Sequence, residues 1–219
     1  MKTAMLLAAG RGERLKPLTN HLPKALCEVG GKPLIVWHVE RLRLAGFSHL
    51  VVNHAWLGGQ IRACLGNGQR FGVEIDYAPE PPGGLETGGG IYNARHLLGS
   101  APFITVNADI FTDFPFETLT LSEDALVKLV LVDNPLHNAD GDFGLLKDGR
   151  VSNRERRFTA AGITCYHPSV LEALKPGRYR IAPLWRELAE QGLAFGMIHR
   201  GIWTDIGTTQ RLMEAQVLV

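Results

Sequence analysis

The sequence predicts an α/β protein with a Rossmann-like, mixed but mostly parallel sheet flanked by helices. Short apolar runs alternate with helix-like stretches through the first half of the chain. Parallel strands need crossover segments of this kind, because consecutive strands must start from the same end of the sheet. After Asp109 the strand-like runs enclose a short turn, a pattern typical of antiparallel pairing. We therefore expect a small antiparallel lobe beside the main sheet.

The strand candidates of the first half are four apolar runs, at residues 3–8, 49–53, 73–77 and 103–107. Between them, Pro33 lies in the first turn of a helix that ends near Gly46, and residues 57–65 form a helix stopped by Gly66. The later elements are expected as strands at 126–132, 143–146 and 159–166, a turn at 147–150 and a final helix near 208–217.

Length and composition limit the possible functions. The chain has 219 residues, which predicts one domain over residues 1–219. A formal net charge of +1 and a charged fraction of 21% indicate no general affinity for nucleic acid or for an anionic membrane. The first apolar run is too short to span a bilayer. The 3 cysteines are widely separated, as is typical of reduced thiols, so we expect a cytoplasmic protein.

A basic loop with two glycines follows the first strand candidate, in the sequence LLAAGRGERLKPLT at residues 6–19. Gly10 and Gly12 allow the backbone to turn tightly and to present amide N–H groups to an anion. The loop lacks the third glycine of the dinucleotide-binding pattern and the Gly-Lys-Ser/Thr ending of a P-loop. It could be an ordinary strand-to-helix turn whose charges face water. Its place beyond the carboxyl end of a parallel strand favours nucleotide binding instead.

This loop, followed by Pro23 and Lys24, resembles the signature of the sugar-1-phosphate nucleotidyltransferases, and the resemblance extends over nearly the whole chain. Members of that family join a sugar phosphate to a nucleotide and release pyrophosphate. The resemblance implies the nucleotide-diphospho-sugar transferase fold, with the antiparallel lobe binding the sugar. It implies catalytic roles for Arg14 and Lys24, which would offset phosphate charge. It also implies nucleotide binding by the loop residues Ala8, Ala9, Gly10, Arg11 and Gly12.

Two acidic segments resemble the metal-binding motifs of the same family. Asp109 ends the segment Val-Asn-Ala-Asp after a strand candidate, and Asp205 lies in Trp-Thr-Asp-Ile-Gly-Thr before the final helix. Alone, each aspartate could be a helix cap or a turn residue. Together with the basic loop, they predict a Mg²⁺ cofactor held by these two carboxylates and by substrate phosphates. Both aspartates are therefore candidate metal ligands and catalytic residues.

A second glycine-rich turn, Leu-Glu-Thr-Gly-Gly-Gly at residues 85–90, is expected to hold the nucleobase through Glu86, Thr87 and Gly88. With residues 52–58, it resembles the N-acetylmuramate α-1-phosphate uridylyltransferases of cell-wall recycling, so UTP is the favoured nucleotide. Mannose-1-phosphate guanylyltransferases are similar, although they usually carry alanine in this turn, and another hexose-1-phosphate nucleotidyltransferase is a further alternative. Thr87 could equally cap the helix that follows.

The resemblance implies sugar binding by five residues: Asn107, Gly144, Asn153, Glu155 and Gly162. The two glycines could equally mark bulges or close strand approach, and Asn153 could stabilise a turn. We interpret His38, His54 and His96 as structural, because a phosphate monoester oxygen is already anionic near neutral pH and needs little help from a base.

The predicted partners are a nucleoside triphosphate and a sugar-1-phosphate, with neither nucleic acid nor membrane, and we expect a monomer or a weak homo-oligomer. We also expect no C-terminal left-handed β-helix, because the chain shows no hexapeptide repeat. A non-catalytic nucleotide or sugar-phosphate sensor on the same fold is the alternative from another functional class. The presence of Arg14, Lys24 and both aspartates favours an enzyme.

Overall fold

A computed structural model describes residues 2–219 of the chain. The strands are β1 (Lys2–Leu7), β2 (Glu28–Val29), β3 (Lys32–Pro33), β4 (Phe47–His54), β5 (Glu74–Pro79), β6 (Phe103–Asn107), β7 (Ile110–Thr112), β8 (Val127–Asp133), β9 (Gly144–Leu145), β10 (Val151–Ser152), β11 (Phe158–Tyr166), β12 (Ala194–Ile198) and β13 (Trp203–Asp205). The α-helices are α1 (Leu34–Leu44), α2 (Gly58–Leu65), α3 (Glu86–Ala94), α4 (Val170–Ala173), α5 (Ala182–Glu190) and α6 (Thr209–Ala215).

Seven strands form the central sheet, in the order β12-β8-β11-β6-β1-β4-β5. The strands β6, β1, β4 and β5 are all parallel, so their carboxyl ends meet at one edge of the sheet. Strand β11 runs antiparallel to both β6 and β8, and β12 is parallel to β8. The predicted mixed, mostly parallel sheet with flanking helices is therefore confirmed.

The predicted elements of the first half agree with the structure to within a few residues, and the strand at 103–107 has the predicted bounds. The antiparallel part differs from the expected separate lobe, since β8 and β11 belong to the central sheet, while the β9–β10 hairpin and the β7–β13 pair form separate two-stranded sheets. Strands β8 and β11 carry apolar side chains that are buried on the two faces, so they gain more by extending the main sheet.

Successive side chains of β1 point to opposite faces of the sheet, as the pleat requires. Ala4 and Leu6 belong to the core beneath α1 and α2, whereas Met5 belongs to the core beneath α3 and α5. Because both faces are covered by helices, ligands have access mainly at the strand ends. None of the helices in residues 2–219 has the length and apolar character needed to cross a membrane.

Candidate active site

The basic loop after β1 is held in shape by contacts that need a glycine at position 12. Gly12 has φ 68°, and a Cβ there would lie 3.0 Å from Thr19 Cγ2 and 3.1 Å from Lys24 Cβ. The Thr19 hydroxyl donates a hydrogen bond of 2.8 Å to the Gly12 carbonyl. The chain after the loop thus folds back onto it, and this fold-back carries Lys24 towards the end of the sheet.

A cavity of about 370 Å³ opens where this loop meets the carboxyl ends of the parallel strands. Its lining includes most of the loop residues expected to bind the nucleotide, together with Lys24, Asp109 and residues of the glycine-rich turn: Leu7, Ala8, Ala9, Gly10, Arg11, Lys24, Ala25, Asn53, Gly83, Gly84, Glu86, Thr87, Asn107, Ala108, Asp109 and Arg178. The structure therefore gathers residues that are about 170 positions apart in the sequence around one space.

The cations of the loop have different surroundings. Arg11 lies over the Trp56 ring, 4.0 Å from its centroid, and donates to the Thr19 carbonyl. Arg14 is exposed and does not line the cavity; a Cβ at Gly207 would lie 2.9 Å from its Nη2. Lys24 is almost buried, with 13% of its side chain exposed. Of the predicted cations, Lys24 therefore lies deepest in the site.

Lys24 forms an ion pair with Asp109 inside the cavity. The Lys24 Nζ donates to Asp109 Oδ2, and the aspartate retains 33% of its side-chain exposure. Asp109 lies two residues after the end of β6 and one residue before β7, so these two strands fix its backbone position. A partly accessible carboxylate beside a cation at the end of a parallel strand can take part in phosphate or metal binding.

Asp205 is brought to Asp109 by a small ribbon of two strands. In the β7–β13 pair, Asp205 lies opposite Ile110, and the backbone N–H of Ile206 donates to the Asp109 carbonyl at 2.7 Å. The Asp205 carboxylate contacts Arg211, and its Oδ1 lies 3.0 Å from His137 Nε2. The fold thus makes neighbours of two aspartates that are distant in sequence, and each carboxylate has its own cationic partner.

The two aspartates are chemically suited to a divalent cation, because carboxylate oxygens are the ligands that Mg²⁺ prefers. Among residues 2–219, no group of three or more His, Cys, Asp or Glu side chains is arranged to hold an ion. A pair of carboxylates is consistent with a site that substrate phosphates complete, which is the usual arrangement for Mg²⁺. Asp109 accepts a hydrogen bond from Lys24 through Oδ2, and Asp205 accepts one from Arg211 through Oδ1.

The glycine-rich turn enters α3 and is covered by residues 177–180. The N–H of Gly88 donates to the Tyr179 carbonyl at 2.9 Å, and the Tyr179 N–H donates to the Leu85 carbonyl at 3.1 Å. Glu86 has φ 60° and contacts Arg178 at 3.4 Å and Arg180 at 3.8 Å. The N-cap residue of α3 is Leu85, which makes no side-chain cap, so the alternative interpretation of Thr87 as the helix cap is wrong.

A second cavity of about 320 Å³ adjoins the first and shares four lining residues with it: Leu7, Glu86, Thr87 and Asn107. Gly162 and Trp185 line its other side. Gly162 has φ 74°, and a Cβ there would lie 2.7 Å from Asn107 Nδ2, so these two predicted sugar residues are in close contact. The indole N–H of Trp185 donates to the buried Tyr166 hydroxyl at 3.0 Å, which fixes the ring.

The other three predicted sugar residues do not line either cavity. Gly144 lies in β9, where it packs against the backbone at Arg154. The Asn153 amide donates to the Arg186 carbonyl at 3.0 Å and to Glu190 Oε1 at 2.6 Å, which ties the hairpin to α5. Glu155 has φ 47° and a side chain 77% exposed. The structure thus separates these residues from Asn107 and Gly162.

Several residues at the site escaped sequence reasoning because only the folded chain brings them there. Asn53 and Arg178 line the first cavity, Arg180 lines the second, and Arg211 contacts Asp205. Asn53 lies next to the last residue of β4, the strand beside β1, and a polar residue near such a strand end was an available signal. The arginines lie in ordinary basic segments, where nothing local distinguishes them from solvated charge.

The fold and the cavity define an α/β protein with a ligand site at the carboxyl ends of its parallel strands, and comparison with known proteins gives its family. The chain belongs to the nucleotidyl transferase family, whose model matches residues 3–219. It is 48% identical to the N-acetylmuramate alpha-1-phosphate uridylyltransferase of Neisseria meningitidis, over 98% of this chain and 97% of the relative. It is 33% identical to the protein of the same name from Caulobacter vibrioides, over 98% of this chain and 96% of that one.

Solved structures share the fold. A Bacillus anthracis protein described as a glucose-1-phosphate thymidylyltransferase superimposes with a TM-score of 0.86 at 21% identity, covering 100% of this chain and 95% of that one. A UDP-glucose pyrophosphorylase complexed with UDP-glucose gives 0.80 at 18% identity, covering 100% and 98%. The predicted nucleotide-diphospho-sugar transferase fold is confirmed. The chain is therefore a sugar-1-phosphate nucleotidyltransferase, and the sensor alternative is not supported.

Proposed function

We propose that this chain transfers a uridylyl group from UTP to N-acetylmuramate α-1-phosphate and releases pyrophosphate. The observation that carries the chemistry is the Lys24–Asp109 ion pair, which lines the same cavity as the glycine loop. The choice of substrates rests on the 48% identical relative from Neisseria meningitidis, which is named for this reaction. A cytoplasmic role in returning a cell-wall sugar to its nucleotide-activated form is consistent with this reaction.

In the proposed reaction, an oxygen of the sugar phosphate attacks the α-phosphorus of UTP, and pyrophosphate leaves from the opposite side. The backbone N–H groups from Ala9 to Gly12, with Arg11, hold the triphosphate, and Ala8 lies beside it in the lining of the cavity. Lys24 and Arg14 offset the charge of the transferring and leaving phosphates. No residue of the chain needs to form a covalent bond with the substrates. Cys27 lies three residues after Lys24, and burial raises the pKa of its thiol, so the thiol stays protonated and is a poor nucleophile.

Asp109 and Asp205 would hold Mg²⁺, together with phosphate oxygens of the substrates. When bound there, the ion would draw negative charge from the phosphates and help to orient them. In the structure, Lys24 and Arg211 contact these two carboxylates. Lys24 lines the cavity beside the basic loop, so its charge lies where the phosphates would bind.

The two adjoining cavities would divide the substrates between them. Glu86 and Thr87 of the glycine-rich turn would contact the base in the first cavity, and Gly88, which follows them in α3, is a further candidate. Asn107 and Gly162 would contact the sugar in the second, whereas Gly144, Asn153 and Glu155 lie outside both cavities. Because Asn107 lines both cavities, it lies where the two substrates would meet.

A second candidate function is mannose-1-phosphate guanylyltransferase. The relative of that name from Danio rerio is 28% identical over 93% of this chain. The chain spans only 61% of that relative, and its glycine-rich turn has glycine at the position where these enzymes usually carry alanine. The uridylyltransferase is therefore the better-supported proposal.

The test is a matrix of UTP, GTP and dTTP against N-acetylmuramate α-1-phosphate, mannose-1-phosphate and glucose-1-phosphate, with Mg²⁺ present. The measured quantity is kcat/KM from pyrophosphate release. We expect the highest value for UTP with the muramate phosphate, and a loss of turnover with EDTA that Mg²⁺ restores. A higher value for GTP with mannose-1-phosphate would establish the second candidate instead.

A further inference from the structure

Two polar side chains form a relay between the two loops that line the first cavity. Asn53, near the end of β4, is 2% exposed, and Glu80 directly follows β5. The Ala8 backbone N–H donates to Asn53 Oδ1 at 2.7 Å, and Asn53 Nδ2 donates to Glu80 Oε1 at 2.6 Å. The other Glu80 oxygen, Oε2, accepts from the Leu85 backbone N–H at 2.6 Å. The relay thus runs from the basic loop after β1 to Leu85, the first residue of the glycine-rich turn.

The residues around Asn53 and Glu80 leave space for the two side chains and hold the Glu80 carboxylate in one orientation. A Cβ at Gly90 would lie 2.6 Å from Glu80 Oε1 and 2.8 Å from Asn53 Nδ2, so this glycine of the turn leaves the space that the pair occupies. Burial raises the pKa of the Glu80 carboxyl, while the hydrogen bonds from Leu85 and Asn53 act to lower it. A partly buried carboxylate with both oxygens accepting hydrogen bonds has a defined orientation, which a solvated surface glutamate lacks.

We propose that Asn53 and Glu80 are positioning residues that fix the basic loop and the glycine-rich turn relative to each other before the nucleotide binds. This inference rests on the proposed nucleotide site but assigns these side chains a role in arranging it, not in contacting the reacting atoms. A site that is already arranged loses less conformational entropy on binding. Loss of the relay should therefore weaken UTP binding more than sugar phosphate binding.

The donors and acceptors of the relay suggest a substitution test with its own rescue. In Glu80→Gln, the new amide must face either the Leu85 N–H or the Asn53 amide, so one donor opposes another. In Asn53→Asp, a carboxylate oxygen faces Glu80 Oε1, so two acceptors oppose each other. In the double variant, Asp at 53 accepts from Ala8 N–H and from the new glutamine amide, whose oxygen accepts from Leu85. The double variant restores every hydrogen bond and leaves the net charge unchanged.

The measurements are the Kd of UTP by isothermal titration and the separate KM values for UTP and for the sugar phosphate. We expect each single variant to raise the Kd and KM for UTP about tenfold, with the KM for the sugar phosphate within about twofold. The double variant should return to within about threefold of the wild type. Glu74→Gln, an exposed change on β5, is the matched control and should leave both constants unchanged.

The thermal stability of each variant is measured in parallel. If Asn53 and Glu80 had a merely structural role, lower thermal stability of the variants would account for their weaker binding of UTP. Unchanged single variants, or a double variant whose loss is the product of the two single losses, would overturn the proposal. If the single variants do not fold, the double variant alone decides, since it should fold and bind UTP. Failure of the wild type to bind UTP would contradict the proposed function itself, whereas normal wild-type binding with unaffected variants would contradict only the relay.

Discussion

The carboxyl edge of the parallel strands and the β9–β10 hairpin use their polar side chains in different ways. At the edge, Lys24 and Asp109 pair with each other inside a cavity, where a ligand could replace either partner. At the hairpin, Asn153 donates to the backbone of α5, and the Asp142 carboxylate accepts from the Ala160 N–H at 2.9 Å. Side chains at the edge therefore serve chemistry, whereas those of the hairpin anchor it. Substitutions should follow the same division.

The largest effect is expected from Asp109→Asn. The change removes the negative charge that Mg²⁺ requires and should lower kcat about a hundredfold or more, with the fold retained. Titration with Mn²⁺ as a probe should show weakened binding, which gives a readout independent of turnover. Asp148→Asn, in the exposed turn of the hairpin, is the matched control and should have normal kinetics. A near-normal kcat in Asp109→Asn would show that Asp109, at the carboxyl edge of the parallel strands, is not part of the catalytic site.

Lys24→Ala should have an effect of similar kind but somewhat smaller, on the order of fiftyfold in kcat/KM, because one phosphate-neutralising charge is lost while others remain. The free energy of unfolding should change little, since the lysine pairs with a partly exposed aspartate. Lys16→Ala removes an exposed lysine of the same loop, which lines neither cavity, and is the control. A large loss of stability without a kinetic change would assign Lys24 to anchoring.

The same division explains how much the sequence could predict. Lys24 and Asp109 were found because their positions depend on a short loop and on a strand at residues 103–107 that carries Phe103, Ile104 and Val106, and local pattern is sufficient for both. The proximity of Asp205 was a hypothesis until the β7–β13 ribbon was known, because pairing register is set by the whole fold. The contacts of Glu80, Arg178 and Arg211 could not be predicted at all, since they join segments that only tertiary packing brings together.

Asn153→Ala tests the hairpin side of the comparison. The change removes hydrogen bonds to Arg186 and Glu190, and should lower the free energy of unfolding by about 1–2 kcal/mol while turnover stays within about twofold. Thermal or urea unfolding, measured beside kinetics, separates the two effects. A raised KM for the sugar phosphate at unchanged stability would instead support the sequence prediction that Asn153 binds sugar, and the division between edge and hairpin would fail.

The smallest predicted effect concerns stability and a buried histidine that packs behind the carboxyl edge of the parallel strands. His38 of α1 is 1% exposed, its Nε2 lies 2.8 Å from the Ile110 carbonyl, and burial lowers its pKa to about 4. In the unfolded chain the imidazole titrates near its ordinary pKa of about 6.5, so between these values the unfolded state binds more protons than the folded state. Stability should therefore fall with decreasing pH, by about 1 kcal/mol between pH 7 and pH 5.5 from this residue.

His38→Gln keeps an N–H donor in reach of the Ile110 carbonyl but cannot take up a proton in this range. The free energy of unfolding of this variant should depend less steeply on pH than that of the wild type, even if its stability at neutral pH is lower. Hydrogen exchange should show the additional opening of the wild type in acid at β7, behind the catalytic edge, and not at the β9–β10 hairpin. If the free energy of unfolding depended equally on pH in the two proteins, His38 would not stay neutral in the folded state. The packing behind the carboxyl edge of the sheet would then not be sensitive to acid.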